Sequence, residues 1–108
     1  MVYDMKLKEL NQRLYRFLDN SPTPFHAVSQ MSQILEKAGF TQIFETEDWC
    51  LQTGGKYFVT RNQSALIGFI VGESDPTEFG ARVVGAHTDS PALMVKPQSE
   101  IRDNGFLQ

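Results

Sequence analysis

The sequence predicts an α/β chain: two amino-terminal helices followed by about four strands of a mixed sheet that these residues leave incomplete. Three observations predict it. Apolar residues recur at helical spacing as far as Gly39, and beyond it the period changes to that of extended chain. Residues 64–71 (SALIGFIV) are apolar on both faces around Gly68, the pattern of an interior strand. Residues 82–87 form a short apolar run into a small-residue step, which reads as a second buried strand.

The elements follow in order. Residues 4–19 form an amphipathic helix capped by Asp4, with Leu7, Leu10, Leu14, Phe17 and Leu18 on the buried stripe and charged residues opposite. Asn20-Ser21-Pro22 breaks it. A second helix starts at Thr23 as N-cap with Pro24 at the first helical position, where a missing N–H costs nothing. Phe25, Val28, Met31, Leu35 and Ala38 mark its buried stripe, and Gly39 supplies a left-handed stop. Residues 41–45 are a short strand, and 45–48 a solvated acidic link. Trp49, Cys50 and Leu51 are expected to plug the edge of the core. Gly54-Gly55 opens a hairpin of strands 56–60 and 64–71 joined by Arg61-Asn62-Gln63. Residues 72–80 form a polar loop containing Asp75-Pro76. Strand 82–87 comes next, residues 92–95 are a further candidate strand, and residues 100–105 a charged turn.

Composition limits the function. The chain has 108 residues, 41% of them hydrophobic and 11% aromatic, as in a folded domain rather than a disordered segment. At this length a compact fold buries about two-thirds of the surface of the unfolded chain. A net charge of −3 carries no footprint for nucleic acid. No apolar run approaches the roughly 18 residues of a membrane span, and Met1-Val2-Tyr3-Asp4 lacks the layout of a secretory signal. Cys50 is the single cysteine, so no internal disulfide forms, and a cytoplasmic location is expected.

Chemistry concentrates at Gly85-Ala86-His87-Thr88-Asp89-Ser90-Pro91. On a strand, His87 and Asp89 project from one face and Thr88 from the other. A carboxylate beside an imidazole fixes the tautomer of a metal-ligating or catalytic histidine. The end of a strand in an open α/β sheet is also where ligands gather. The plainer alternative is a histidine–carboxylate pair kept for stability. A catalytic zinc needs about three protein ligands. Beside His87 the chain offers only His26 in a helix first turn, read as a surface or packing histidine, Cys50 with no activating base, and scattered acids. If His87 is a ligand, most of its site lies outside these residues and the chain is part of a longer protein.

The segment Val84–Pro91, followed by Leu93, Val95 and Lys96, resembles the first metal-ligand segment of the aspartyl aminopeptidases, cytoplasmic di-zinc exopeptidases. The resemblance extends upstream. Phe17-Leu18-Asp19, Ser21–Val28, Leu35-Glu36 and Ala38-Gly39-Phe40 are similar to the family's amino-terminal helices, and Gly54–Asn62 to its first hairpin. The chain departs from the commoner family wording at Ala92 and Met94, where cysteine and a basic residue are frequent. The resemblance implies part of a three-layer α/β/α zinc-exopeptidase domain. Residues 1–91 would be its amino-terminal portion and 92–108 the approach to a second, inserted domain. It implies that His87 ligates one of two zinc ions and that Asp89 is the catalytic aspartate orienting it, with the general base and other ligands downstream. It further implies release of amino-terminal Asp or Glu from peptides by a large homo-oligomeric shell, and no activity of these 108 residues alone. The rival expectation, from a different class, is a non-catalytic binding or oligomerisation module.

Overall fold

A computed structural model describes residues 2–93 together with residues 95, 97, 100, 102–103 and 106–107. Helix α1 spans Val2–Asp19, so Asp4 lies inside the helix instead of capping it. Its leucine stripe is not buried. Leu7, Leu10, Leu14 and Leu18 remain 50–60% exposed, and Phe17 alone of the stripe is partly covered. The α1 face meets little beyond its neighbouring helix α2, which spans Pro24–Lys37.

The ends of α2 follow from local chemistry. Thr23 is extended (φ −135°, ψ 161°), its hydroxyl accepts the His26 N–H, and Pro24 begins the helix. At the other end Gly39 takes φ +82°. Its N–H bonds the Glu36 carbonyl and the Phe40 N–H bonds the Leu35 carbonyl, each at 3.0 Å. That is a Schellman closure, which needs the left-handed conformation glycine adopts without strain. Ala27 and Val28 are buried, whereas Ala38, expected on the buried stripe, is exposed.

The sheet is mixed, in the order β1–β2–β3. Strand β1 is Thr41–Gln42, shorter than the expected 41–45, and runs parallel to β2, Lys56–Arg61. Strand β3, Ala65–Ile70, pairs antiparallel with β2 in a register that sets Phe58 opposite Gly68. Asn62 and Gln63 make the turn in the left-handed region, with φ of 51° and 55°. A β-carbon on Gly68 would lie 3.3 Å from Leu35 Cδ1, so the missing side chain lets α2 approach the sheet. Phe58, on the same face by register, is 0% exposed.

The opposite face carries Tyr57, Val59, Arg61, Ala65, Ile67 and Phe69. Trp49 leans over one end of it, its ring 6.3 Å from that of Phe69, and its indole N–H donates to the Phe44 carbonyl at 2.8 Å. Yet Trp49 and Leu51 are 45% and 40% exposed and Cys50 is exposed, so this trio fringes the sheet instead of plugging it. Among the described residues no helix or second sheet packs on that face, although Val59 on it is buried and Tyr57 and Phe69 are partly so. Residues 64–71 are likewise not interior: β3 is an edge strand here, and Ile67 is 66% exposed.

The loop after β3 contains one helical turn, α3, Pro76–Phe79. Asp75 caps it, and hydrogen bonds from the Thr77 hydroxyl and N–H (2.7 and 2.8 Å) hold its carboxyl below the usual carboxylate range. The strand expected at 82–87 is absent. The chain there is irregular, Val83 and Val84 are 84% and 100% exposed, and residues 81–93 make no hydrogen bonds from main chain to main chain among the described residues. An apolar run becomes a strand only where a ladder partner satisfies its N–H and C=O groups, and the outer edge of β3 does not pair with it. In the candidate strand 92–95, Ala92, Leu93 and Val95 are irregular and exposed, and Met94 lies outside the described residues. Within the expected charged turn, Arg102–Asp103 (β4) pairs with Phe106–Leu107 (β5) as a small antiparallel ladder, while Asn104 and Gly105 lie outside the described residues.

The chain therefore exposes 10173 Å², where a compact chain of this length exposes about 6,000 Å². Among the described residues the buried apolar ones are Ala27, Val28, Phe58 and Val59. The two-thirds burial expected from length is not reached: among the described residues one sheet face is covered only in part and the 81–93 segment is almost wholly exposed.

Candidate metal centre

His87 and Asp89 come together without a strand. The imidazole Nδ1 lies 2.7 Å from the Asp89 main-chain oxygen and 3.3 Å from its carboxylate Oδ1. A carbonyl oxygen only accepts, so Nδ1 is assigned the proton in this contact. In the neutral ring the lone pair then sits on Nε2, the atom left free to bind a cation. Both side chains are open to solvent, at 79% and 82% exposure. Orientation of one imidazole nitrogen by a carboxylate residue is the arrangement found behind metal-ligating histidines. The pair predicted from sequence is therefore present, held by local chain geometry rather than by strand alternation.

The rest of a metal site is missing from these residues. No group of three or more His, Cys, Asp or Glu side chains converges among the described residues. His26 is engaged elsewhere: its Nδ1 lies 2.7 Å from the Thr23 hydroxyl at the start of α2, in keeping with a structural role. Cys50 is free and exposed. His87 with Asp89 thus fits one ligand position of a zinc site, and the described residues do not complete that site.

Two features of the neighbourhood have no signal in the sequence. Thr88 turns away from the His87–Asp89 pair and its hydroxyl donates to the Ser64 carbonyl at 2.8 Å. The alternation of side chains signals that it points elsewhere, but nothing signals its partner. Glu45 and Arg61 form a two-pronged ion pair, one prong being Arg61 Nε to Glu45 Oε2 at 3.2 Å. The hydrogen bond from Arg61, reinforced by its charge, holds the Glu45 carboxyl below its ordinary range and pushes the guanidinium up. Sixteen residues separate the two, and no pattern in the sequence pairs them.

Comparison with known proteins gives a consistent picture. Residues 17–108 match the profile of the aminopeptidase I zinc metalloprotease (M18) family. A Pseudomonas aeruginosa protein described as a probable M18 family aminopeptidase 2 is 55% identical over 100 residues, covering 93% of this chain and 23% of that protein. The chain therefore spans about a quarter of the length of such relatives. The fold is similar to a chain in the cryo-EM structure of the Ape4 and Nbr1 complex, with TM-score 0.66 and 38% identity over 86% of this chain and 18% of that one. It is also similar to the mApe1 dodecamer of S. cerevisiae, with TM-score 0.56 and 30% identity over 62% of this chain and 16% of that one.

Proposed function

Because this chain belongs to the aminopeptidase I zinc metalloprotease (M18) family, we propose that the full-length protein is a zinc-dependent aminopeptidase. In this reading it removes amino-terminal Asp or Glu from peptides, and His87 is one of its metal ligands. The observation that carries the proposal is the His87–Asp89 contact: Nδ1 is committed to Asp89 and Nε2 is left free. Asp89 orients the ring and keeps it in the tautomer a metal requires. A zinc ion held there, one of two in the complete site, would polarise the scissile carbonyl and make water a competent nucleophile near neutral pH. The other ligands and the general base belong to the part of the protein beyond these residues. The 108 residues alone are accordingly inactive, since His87 and Asp89 supply one corner of the site.

The resemblance to a dodecameric aminopeptidase supports a homo-oligomeric shell for the full-length protein. We assign residues 1–91 to the catalytic domain and 92–108 to the approach to an inserted one, and place the protein in the cytoplasm. No helix among the described residues is long and apolar enough to cross a membrane.

The test compares Asp-initiated and Leu-initiated peptides, with and without a chelator, on the full-length protein and its His87→Ala variant. Chelator-sensitive release of Asp is expected from the parent protein, with much slower release of Leu. In His87→Ala, zinc content and turnover fall together. A variant that keeps both removes His87 from the site, and equal cleavage of the two peptides removes the acidic preference. A parent protein that cleaves neither peptide favours the non-catalytic module.

A further inference from the structure

We infer that Thr88 is a positioning residue that fixes the His87–Asp89 pair against the sheet. The inference rests on the zinc reading above and names what holds the ligand in place. Between Gly72 and Leu93, Thr88 is the one residue that is not exposed. Its hydroxyl donates to the Ser64 carbonyl, 24 residues earlier, at 2.8 Å in a partly buried setting. Among the described residues this is the single hydrogen bond that ties residues 81–93 to the rest of the chain, because the His87–Asp89 contact is internal to the segment.

The anchor point is itself fixed. Ser64 closes the β2–β3 turn through its own N–H to the Arg61 carbonyl at 3.1 Å, directly beside the ladder pair Arg61–Ala65. Thr88 therefore fastens an otherwise unpaired stretch to the end of the regular hairpin. Thr88 is partly buried through this contact, whereas the His87 and Asp89 side chains on either side of it stay 79% and 82% exposed, open to ligands from outside these residues. Without the hydroxyl the imidazole–carboxylate contact survives, but the pair no longer has a defined origin relative to the sheet. The Ser64 carbonyl also loses its partner. A ligand that must be ordered on binding weakens a metal site, as losses of supporting hydrogen bonds do.

The test uses the full-length protein with Thr88→Val, Thr88→Ser and Thr88→Ala. Zinc affinity is measured by chelator competition, kcat and KM are measured separately on an Asp-initiated peptide, and the unfolding midpoint reports the fold. Thr88→Val keeps the side-chain volume and removes the donor. It is expected to weaken zinc binding about 10- to 100-fold and to lower kcat with KM near the parent value. Thr88→Ser, which restores the hydroxyl, returns both toward the parent. If the valine variant does not fold, the serine–alanine pair differs by the hydroxyl alone and carries the same comparison. Parent-like zinc affinity in Thr88→Val overturns the positioning role, as does a serine variant no better than alanine or valine. A parent protein with no zinc affinity overturns the underlying metal reading and this role with it.

Discussion

Phe58 and Val84 both belong to apolar runs that read as strands, yet Phe58 is 0% exposed and Val84 is 100% exposed. The difference lies in what surrounds them. Phe58 sits in a ladder with β3, opposite the Gly68 gap that admits Leu35 of α2. Val84 has neither a ladder partner nor a covering layer among the described residues. The helix–hairpin unit and the His-Thr-Asp segment thus divide the work. One supplies stability from contacts close at hand. The other carries the exposed His87–Asp89 pair and is tied to the first by Thr88.

The comparison is broken most directly at its two poles. Phe58→Ala removes the largest fully buried side chain among the described residues and is expected to cost about 3–5 kcal/mol, read as a lower urea midpoint at unchanged slope. Val84→Asp in the same 108-residue chain should shift stability by no more than about 0.5 kcal/mol, as for other open surface positions. A loss of several kcal/mol at Val84 would show that residues 82–87 are covered, and would abolish the contrast.

A smaller effect sharpens the role of the gap beneath α2. A β-carbon at Gly68 already falls 3.3 Å from Leu35 Cδ1, so Gly68→Val overpacks the helix–sheet contact by about 1–3 kcal/mol. Adding Leu35→Ala should recover part of that loss in a double-mutant cycle, because the two sites touch. Strict additivity would place the strain elsewhere in the hairpin.

The features legible in the sequence are those whose cause lies within a few residues. Thr23-Pro24 starts α2 and Gly39 ends it because a cap hydroxyl, a fixed φ and a left-handed residue act locally. The hairpin follows from Gly54-Gly55 and two flanking apolar runs, and the His87–Asp89 contact from its spacing of two. Position in a layer is not legible. The run 82–87 shows that these residues favour cover, and not whether the neighbouring chain provides it. The leucines of α1 and the Trp49–Leu51 trio are open for the same reason: a stripe predicts the face and says nothing of what meets it. Thr88 with Ser64 and Glu45 with Arg61 are separated by 24 and 16 residues. Such pairings are settled by the fold and leave no local trace.

The smallest expected effect concerns that second pair and carries the comparison to pH. Hydrogen bonding to Arg61 lowers the Glu45 carboxyl below its unfolded value. A depressed acid contributes stability that is present above its unfolded pKa and is lost as pH falls through the folded one. The sign is therefore a loss of stability on acidification, beginning near the ordinary glutamate range of about 4.3. Both side chains are well exposed, at 71% for Arg61 and 43% for Glu45, so solvent and salt screen the pair strongly. Glu45→Gln should lower the thermal midpoint slightly at neutral pH and low ionic strength, with the difference closing both in acid and in high salt. His87→Ala, in the open segment beyond the hairpin, should leave that acid-and-salt signature unchanged. A difference between the parent chain and Glu45→Gln that persists in high salt would mean that Glu45 acts through the geometry of its two-pronged hydrogen bonding to Arg61, which an amide does not reproduce, and not through its charge.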